Sequence, residues 1–238
     1  MKEVIVITGA SRGLGRTLAL HYAKKGYRLA LCARNEEALA HVTEEARQLG
    51  AEVVAVQADV VHAQDVDRFV SVVEATYGTI DVLINNASIF GSGPRQLVDY
   101  EEQTFQEVLT TNVLNPFLMT KRALATMLAN NQGLIINITS AAGKTGFAEW
   151  GAYGVSKFAL EGLTETWADE LSDTKTEICL LDPGEMNTAM HDIAVPDCDY
   201  PLLETEELLP LFDQILQNRG TVNGKRFDIY RYLEEVQS

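Results

Sequence analysis

Cysteine is scarce. The 238 residues hold three, Cys32, Cys179 and Cys198, widely spaced. They form no metal-type pair and imply no disulfide. The four histidines, His21, His41, His62 and His191, make no metal cluster with them and read as single surface residues. No metal site is expected. No apolar run reaches the roughly 18 residues that a membrane span requires, so no membrane partner is expected. Met1-Lys2-Glu3-Val4 leads straight into a short strand pattern, without the apolar region and cleavage site of a signal peptide, which points to the cytoplasm. Basic residues are also few: 19 Lys and Arg face 34 Asp and Glu, a formal net charge of −15. Such a surface repels polyphosphate and lacks the basic stripe of a nucleic-acid binder. It weakly disfavours an acidic carrier protein as well, unless a local basic patch overrides the net value. No internal repeat, low-complexity segment or interdomain linker is visible, and the length fits one domain over residues 1–238.

What is present is a regular alternation. Val4 to Ile7, Leu29 to Cys32, Val53 to Val56, Ile80 to Ile84, Leu134 to Ile138 and Glu177 to Leu181 read as short buried strands. A seventh is expected over Arg226 to Tyr230, followed by a short acidic tail. Between them, helices are expected over about Leu14 to Lys25, Glu36 to Leu49, Ala63 to Tyr77, Glu101 to Asn130 with a break or kink at Pro116, and Gly151 to Leu171. Alternating strands and helices with non-alternating, buried strands predict an α/β fold, a single-domain Rossmann-type doubly wound parallel sheet. Residues 185–205 break the rhythm with Pro196, Pro201 and several acids. A long irregular segment in a compact domain is usually functional, and this one reads as a substrate-covering loop.

Thr8-Gly9-Ala10-Ser11-Arg12-Gly13-Leu14-Gly15 follows the first strand and opens the first helix. Glycines let such a turn tighten and let backbone N–H groups approach a phosphate, and the helix N-terminus adds partial positive charge. The spacing Gly-x-x-x-Gly-x-Gly differs from the usual Gly-x-Gly-x-x-Gly, but its place between strand and helix strengthens the dinucleotide reading. An acid at the end of the second strand suits the ribose of NAD, and an arginine suits the 2′-phosphate of NADP. This chain has Ala33-Arg34-Asn35, with no acid before Glu36, and Arg12 offers a second cation. The expectation is NADP(H) over NAD(H).

Tyr153 and Lys157 are four residues apart in the YGVSK segment and share one helix face. Ser140 lies thirteen residues earlier, just past an apolar strand. A hydroxyl, a phenol and an ammonium can thus surround one substrate oxygen. Tyrosine is a poor acid-base catalyst near pH 7, but a nearby cation favours the phenolate. A shift of about three units needs roughly 4 kcal/mol, which one charge near 4 Å supplies at an effective dielectric of about 20.

Together these segments resemble the classical short-chain dehydrogenase/reductase family. The resemblance rests on TGASRGLG, Ala58-Asp59-Val60, the NNAS run ending at Ser88, Asn112, Ser140, YGVSK and the PGEMNT run from Pro183. It covers about Lys2 to Thr188, and more loosely extends to Tyr230. It implies hydride transfer between nicotinamide and a carbonyl or secondary alcohol. Tyr153 would move the proton at the substrate oxygen. Lys157 would lower the pKa of Tyr153 and bind the nicotinamide ribose. Ser140 would orient the carbonyl, and Asn112 would hold a water that links Lys157 to solvent. Asp59 and Val60 would contact adenine, while Asn86, Ala87 and Ser88 line the cofactor. Pro183, Gly184, Met186 and Thr188 would embrace its nicotinamide end, and Gly9, Ser11, Arg12, Gly13, Leu14, Gly15 and Arg34 its phosphates and adenosine. Ser88 stands where the family often has glycine. The C-terminus lacks the frequent Asp-Gly-Gly, which puts the usual tetramer contacts in doubt. A homodimer or homotetramer is expected by resemblance, through the helices containing Pro116 and Tyr153.

The substrate pocket is expected to draw on Phe90, Phe147, Glu149, Trp150, Met186, Met190 and His191, which suit an apolar or aromatic small-molecule carbonyl compound. A 3-oxoacyl-thioester reductase would share every motif above. A non-catalytic NADPH-binding sensor would keep the glycine turn without needing Asn112, Ser140, Tyr153 and Lys157, all of which are present.

Overall fold

β-Branched and aliphatic side chains on both faces of a strand demand cover on both faces. The computed structural model, which describes residues 2–237, meets that demand with one sheet between two layers of helices. The strands are β1 (Val4–Thr8), β2 (Arg28–Ala33), β3 (Val53–Gln57), β4 (Val82–Asn85), β5 (Gly133–Ile138), β6 (Thr176–Asp182) and β7 (Arg226–Asp228). All pair in parallel in the order β3-β2-β1-β4-β5-β6-β7. The interior strands β1, β4, β5 and β6 are buried throughout, whereas the edge strands β3 and β7 are not.

The strand period of two divides the core. Ile5, Ile7, Leu29 and Leu31 face α1 (Gly13–Lys24), α2 (Glu36–Gln48) and α8 (Leu209–Gln217), packing with Leu18, Tyr22, Val42 and Phe212. Val4, Val6, Leu83 and Ile135 face α3 (Ala63–Tyr77) and α5 (Asn115–Ala129), packing with Phe69, Val70, Met119 and Met127. The remaining helices are α4 (Glu102–Leu109), α6 (Gly151–Glu170), α7 (Ala189–Ala194) and α9 (Ile229–Gln237). The strand order reverses between β1 and β4. In a doubly wound sheet a ligand crevice opens at that point, beyond the carboxyl ends of the strands.

Three expectations need correction. The helical pattern after Glu101 is two helices, α4 and α5, joined by one π-helical turn over Thr110–Leu114. Pro116 lacks an N–H, so it cannot donate to the carbonyl four residues back, that of Asn112. The seventh strand ends at Asp228 rather than Tyr230, because the Asp228 carboxylate accepts from the N–H groups of Tyr230 and Arg231 and starts α9. The tail is therefore helical as far as Gln237. Residues 185–205 are not simply irregular. They contain α7, capped by the Thr188 hydroxyl, and are tied by a parallel bridge between Met186 and Leu203.

Candidate active site

The carboxyl ends of β1, β2, β4, β5 and β6 open into one cavity of about 1030 Å³. At one end is the turn after β1. Gly9 and Gly13 take positive φ values of 65° and 51°, which a side chain would strain. A Cβ on Gly9 would lie 2.9 Å from Ala87 Cα, and one on Gly15 would lie 2.3 Å from the Gly9 carbonyl oxygen. The Asn86 amide donates to the carbonyls of Thr8 (2.9 Å) and Gly9 (3.3 Å), bracing the turn. No side chain caps α1 and no acid stands in its first turn, so its N–H groups and positive dipole end face the cavity. Arg12 and Arg34 are exposed on the cavity wall, and among the described residues neither has an ion-pair partner. Asn35 accepts from Ala38 N–H (2.8 Å) and starts α2, which leaves Arg34 on the open side of that start. These features fit a dinucleotide: a cradle that any Cβ would fill, an uncapped helix end and two unpaired guanidinium groups.

At the other end stand Ser140, Tyr153 and Lys157. Ser140 follows β5, and its hydroxyl accepts from Ala142 N–H at 3.2 Å. Tyr153 and Lys157 lie on the buried face of α6. The Lys157 ammonium donates to the Ile138 carbonyl (2.9 Å) and sits 5.3 Å from the centre of the Tyr153 ring. Burial pushes the Tyr153 phenol up to about 12, with the Ser140 hydroxyl pulling it down and the Asp182 carboxylate pushing it further up. Burial holds Lys157 down at about 8, against the Asp182 and Glu161 carboxylates, which favour its charge. The sequence-based expectation is a lowered phenol; here it stands above its ordinary value, with desolvation the largest cause.

Of the residues expected in the cofactor and catalytic site, Gly15 and Asn112 stand behind the cavity wall. Gly15 packs beneath Gly9. The Asn112 side chain accepts from Ser88 Oγ (3.0 Å) and Ile89 N–H (2.9 Å), and donates to the Ile89 carbonyl (2.8 Å) and Ser156 Oγ (3.0 Å). Those four bonds use the whole capacity of an amide. Ser88, the departure from glycine, thus gains a partner. Gly9, Ser11, Arg12, Gly13, Leu14, Arg34, Asp59, Val60, Asn86, Ala87, Ser88, Pro183, Gly184, Met186 and Thr188 all line the cavity.

The aromatic residues form a box at the Tyr153 end. Phe90 meets Trp150 edge-on at 5.3 Å and lies 5.2 Å from Tyr153, while Phe147 is 5.4 Å from Trp150. Met190 and His191 complete that end of the cavity. Glu149, also expected there, is exposed and does not line it. Its φ of 68° turns the chain so that its carbonyl accepts from Arg95 N–H. His191 corrects the reading of surface histidines. It is buried, and its Nε2 bonds Glu185 (3.2 Å), which Tyr200 also reaches.

Among the wall and backing residues that escaped the sequence reading are Glu161, Asp182, Arg226 and Tyr230. Arg226 donates to Glu161 (3.0 Å), Asp182 (2.8 Å) and the Ser140 carbonyl (3.1 Å). The Tyr230 hydroxyl accepts from Glu185 N–H (3.0 Å). Glu161 had a local signal, since it sits one turn past Lys157 on the same face. The other three sit at or just beyond strand ends, where only the sheet order brings them together. Among the described residues no group of three or more acidic, histidine or cysteine side chains sits where it could hold a metal ion.

A family model described as short chain dehydrogenase matches residues 3–198. The chain is 32% identical over 234 residues to a 3-oxoacyl-(acyl-carrier-protein) reductase of Staphylococcus aureus, covering 98% of this chain and 94% of that one. A crystal structure of a short chain dehydrogenase from Salmonella enterica serovar Typhi superposes with a TM-score of 0.91 at 29% identity, over 96% of each chain. An alcohol dehydrogenase from the archaeon Thermococcus sibiricus, complexed with 5-hydroxy-NADP, does so with a TM-score of 0.86 at 28% identity, again over 96% of each.

Proposed function

The chain belongs to the short-chain dehydrogenase family and is an oxidoreductase of that family, and on that premise we propose that it is an NADP(H)-dependent carbonyl reductase. The observation that carries this reading is one cavity with Ser140, Tyr153 and Lys157 at one end and the glycine turn flanked by Arg12 and Arg34 at the other. Bound there, the nicotinamide would supply the hydride. The turn and the α1 N-terminus would hold the pyrophosphate. Arg12 and Arg34 would grip the 2′-phosphate through charge-assisted bonds. Asp59 and Val60 would meet the adenine. Asn86 to Ser88 and Pro183 to Thr188 would position the nicotinamide end.

Tyr153 would protonate the substrate oxygen while Ser140 donates to it, so that two hydrogen bonds meet the negative charge as it develops. A phenol near 12 is fully protonated at pH 7, and the charged form of Lys157 predominates there. That state is ready to give a proton, which favours reduction as the working direction. The water-holding role falls to the Asn112 backbone, whose carbonyl Pro116 leaves without its α-helical donor, since the side chain is saturated. The aromatic box suits an apolar or aromatic ketone. The named activity of the Staphylococcus relative favours a second reading, reduction of a 3-oxoacyl thioester at the same three residues.

Exposed Leu114, Val155 and Phe158, on the π-helical turn and α6, support association into a homodimer or homotetramer. Three free thiols suit the reducing cytoplasm.

The test is oxidation of NADPH and of NADH with ketones, aldehydes, diketones and 3-oxoacyl thioesters. Turnover on one class with NADPH is expected, and loss of an acid catalyst in Tyr153→Phe should cut it by about 10²–10⁴ with NADPH binding within a few-fold. Wild-type turnover by Tyr153→Phe would refute the mechanism.

A further inference from the structure

Beneath the proposed catalytic residues, the edge strand β7 sets one arginine behind the cavity wall, against Glu161, Asp182 and the Ser140 carbonyl. We propose that Arg226 is a positioning residue for the reaction: it fixes Ser140 through its backbone carbonyl and balances the two carboxylates that lie under Lys157 and Tyr153. This rests on the reading of Ser140, Tyr153 and Lys157 given above.

The guanidinium has four partners on three elements and one loop. Its Nε donates to Glu161 of α6 (3.0 Å). One terminal nitrogen donates both to Asp182 at the end of β6 (2.8 Å) and to the Ser140 carbonyl (3.1 Å). The other faces Asp228 at 3.5 Å. Arg226, Glu161 and Asp182 are all largely withdrawn from solvent. Glu161 also accepts from the Thr139 hydroxyl (2.9 Å), and a Cβ on Gly143 would come within 2.6 Å of its carboxylate. The turn that carries Ser140 is therefore clamped between Glu161 and Arg226. A planar guanidinium spreads its donors over three nitrogens in fixed directions and so spans acceptors on separate elements, whereas the three donors of an ammonium radiate from a single nitrogen.

Charge gives the second half of the role. The charges that act on Lys157 are Glu161 on its own helix and Asp182 from β6, with the Tyr153 ring beside the ammonium; Arg226 of β7 pairs with both carboxylates and faces Asp228, and Glu185 and His191, from the segment after β6, line the same cavity. Asp182 and Glu161 both favour a charged Lys157, and Asp182 disfavours a Tyr153 phenolate. Arg226 stands between these two carboxylates and neutralises much of their field. Without it, both titrations move to higher pH.

The experiment compares wild type, Arg226→Gln, Arg226→Lys and Tyr153→Phe by steady-state ketone reduction from pH 6 to 10, with NADPH affinity and thermal melting alongside. Arg226→Gln should lose at least about tenfold in kcat, keep NADPH affinity within about threefold, and move the alkaline limb of kcat/KM up by about one pH unit. Arg226→Lys restores the charge without the fork, so the limb should return toward wild type while kcat stays reduced. A folded Arg226→Gln with wild-type kcat and limb overturns the proposal. So does a fall in kcat with an unmoved limb, which marks a merely structural role. If Arg226→Gln does not melt cooperatively, Arg226→Lys decides: a threefold or larger fall in kcat at unchanged NADPH affinity supports the role, and wild-type kcat overturns it. Tyr153→Phe separates the two failures. Retained turnover there removes the underlying chemistry and this proposal with it, whereas an inactive Tyr153→Phe beside an unaffected Arg226→Gln removes this proposal alone.

Discussion

Lys157 is 2% exposed, yet it must carry charge for the proposed chemistry. Burial lowers it from 10.5 to about 8, a drop equivalent to roughly 3 kcal/mol of penalty on the folded state. The sign follows from proton counting. Between pH 8 and 10.5 the unfolded chain holds the proton and the folded chain releases it, so stability gained from this group rises with pH across that window. The penalty is full below about 8 and gone above about 10.5. Lys157→Met should therefore stabilise the protein at pH 7 by about 1–3 kcal/mol, the lower figure reflecting the cation that Asp182 and Glu161 lose. The gain should shrink toward zero by pH 10.5, while activity is lost at every pH. Chemical denaturation of both proteins at pH 7 and pH 10 measures it, and a gap that does not narrow would place the cost somewhere other than lysine desolvation. The same ionisation predicts that kcat/KM for reduction declines above pH about 8, as the ammonium is neutralised. At this scale the sequence showed which residues meet, because Tyr153 and Lys157 are one helical turn apart. It did not show how deeply the Tyr153 phenol would be buried, because Phe90, which packs 5.2 Å from its ring, comes from a distant segment.

The junction of β2 and α2 shows how one element boundary can set cofactor choice. β2 ends at Ala33, Asn35 caps α2, and Glu36 and Glu37 fall in the first helical turn. Arg34 alone is left at the cavity between strand and cap. Replacing it with Asp puts an acid where a ribose hydroxyl would be bound and a 2′-phosphate repelled. Arg34→Asp should lower the NADPH-to-NADH ratio of kcat/KM by about tenfold or more, with Arg12 retaining part of the phosphate contact. An unchanged ratio would show that Arg34 is not the selector. Strands and long helices were legible because buried runs and 3.6-residue stripes are local signals, and β1, α3 and β5 fall within a residue or so of expectation. The misses share a cause. α7 is six residues long and held by the Thr188 cap, and α9 depends on the Asp228 cap at a point where Ile229 and Tyr230 read as strand. The α4–α5 junction continues through Pro116 because a π-helical turn precedes it. For α7 and α9 a single capping residue outweighs the propensity of its neighbours, and at the α4–α5 junction a change of backbone hydrogen-bond spacing does so.

At the scale of the molecule, the charge of −15 bears on which carbonyl the site serves. A free ketone and a carrier-bound 3-oxoacyl group would meet the same three residues and the same aromatic box. They differ in what must approach the surface. An acidic carrier protein would approach against the net field, while a small neutral thioester would not feel it. Cations near the opening are few. Arg12 and Arg34 belong to the far end of the cavity, Lys144 is exposed past Ser140, and Arg95 is paired with Glu101. Screening extends over about 10 Å at 0.1 M salt, so the repulsion weakens as salt rises. If the substrate is a free carbonyl compound, kcat/KM for a carrier-bound 3-oxoacyl group should be low and should rise several-fold between about 20 and 300 mM salt, whereas a neutral 3-oxoacyl thioester of the same acyl chain should stay level. A carrier-bound reaction that is fast and slows with salt would mean that Lys144 and its neighbours form a docking patch strong enough to reverse the field. The thioester reading would then displace the free-ketone one, with Ser140, Tyr153 and Lys157 unchanged in their roles.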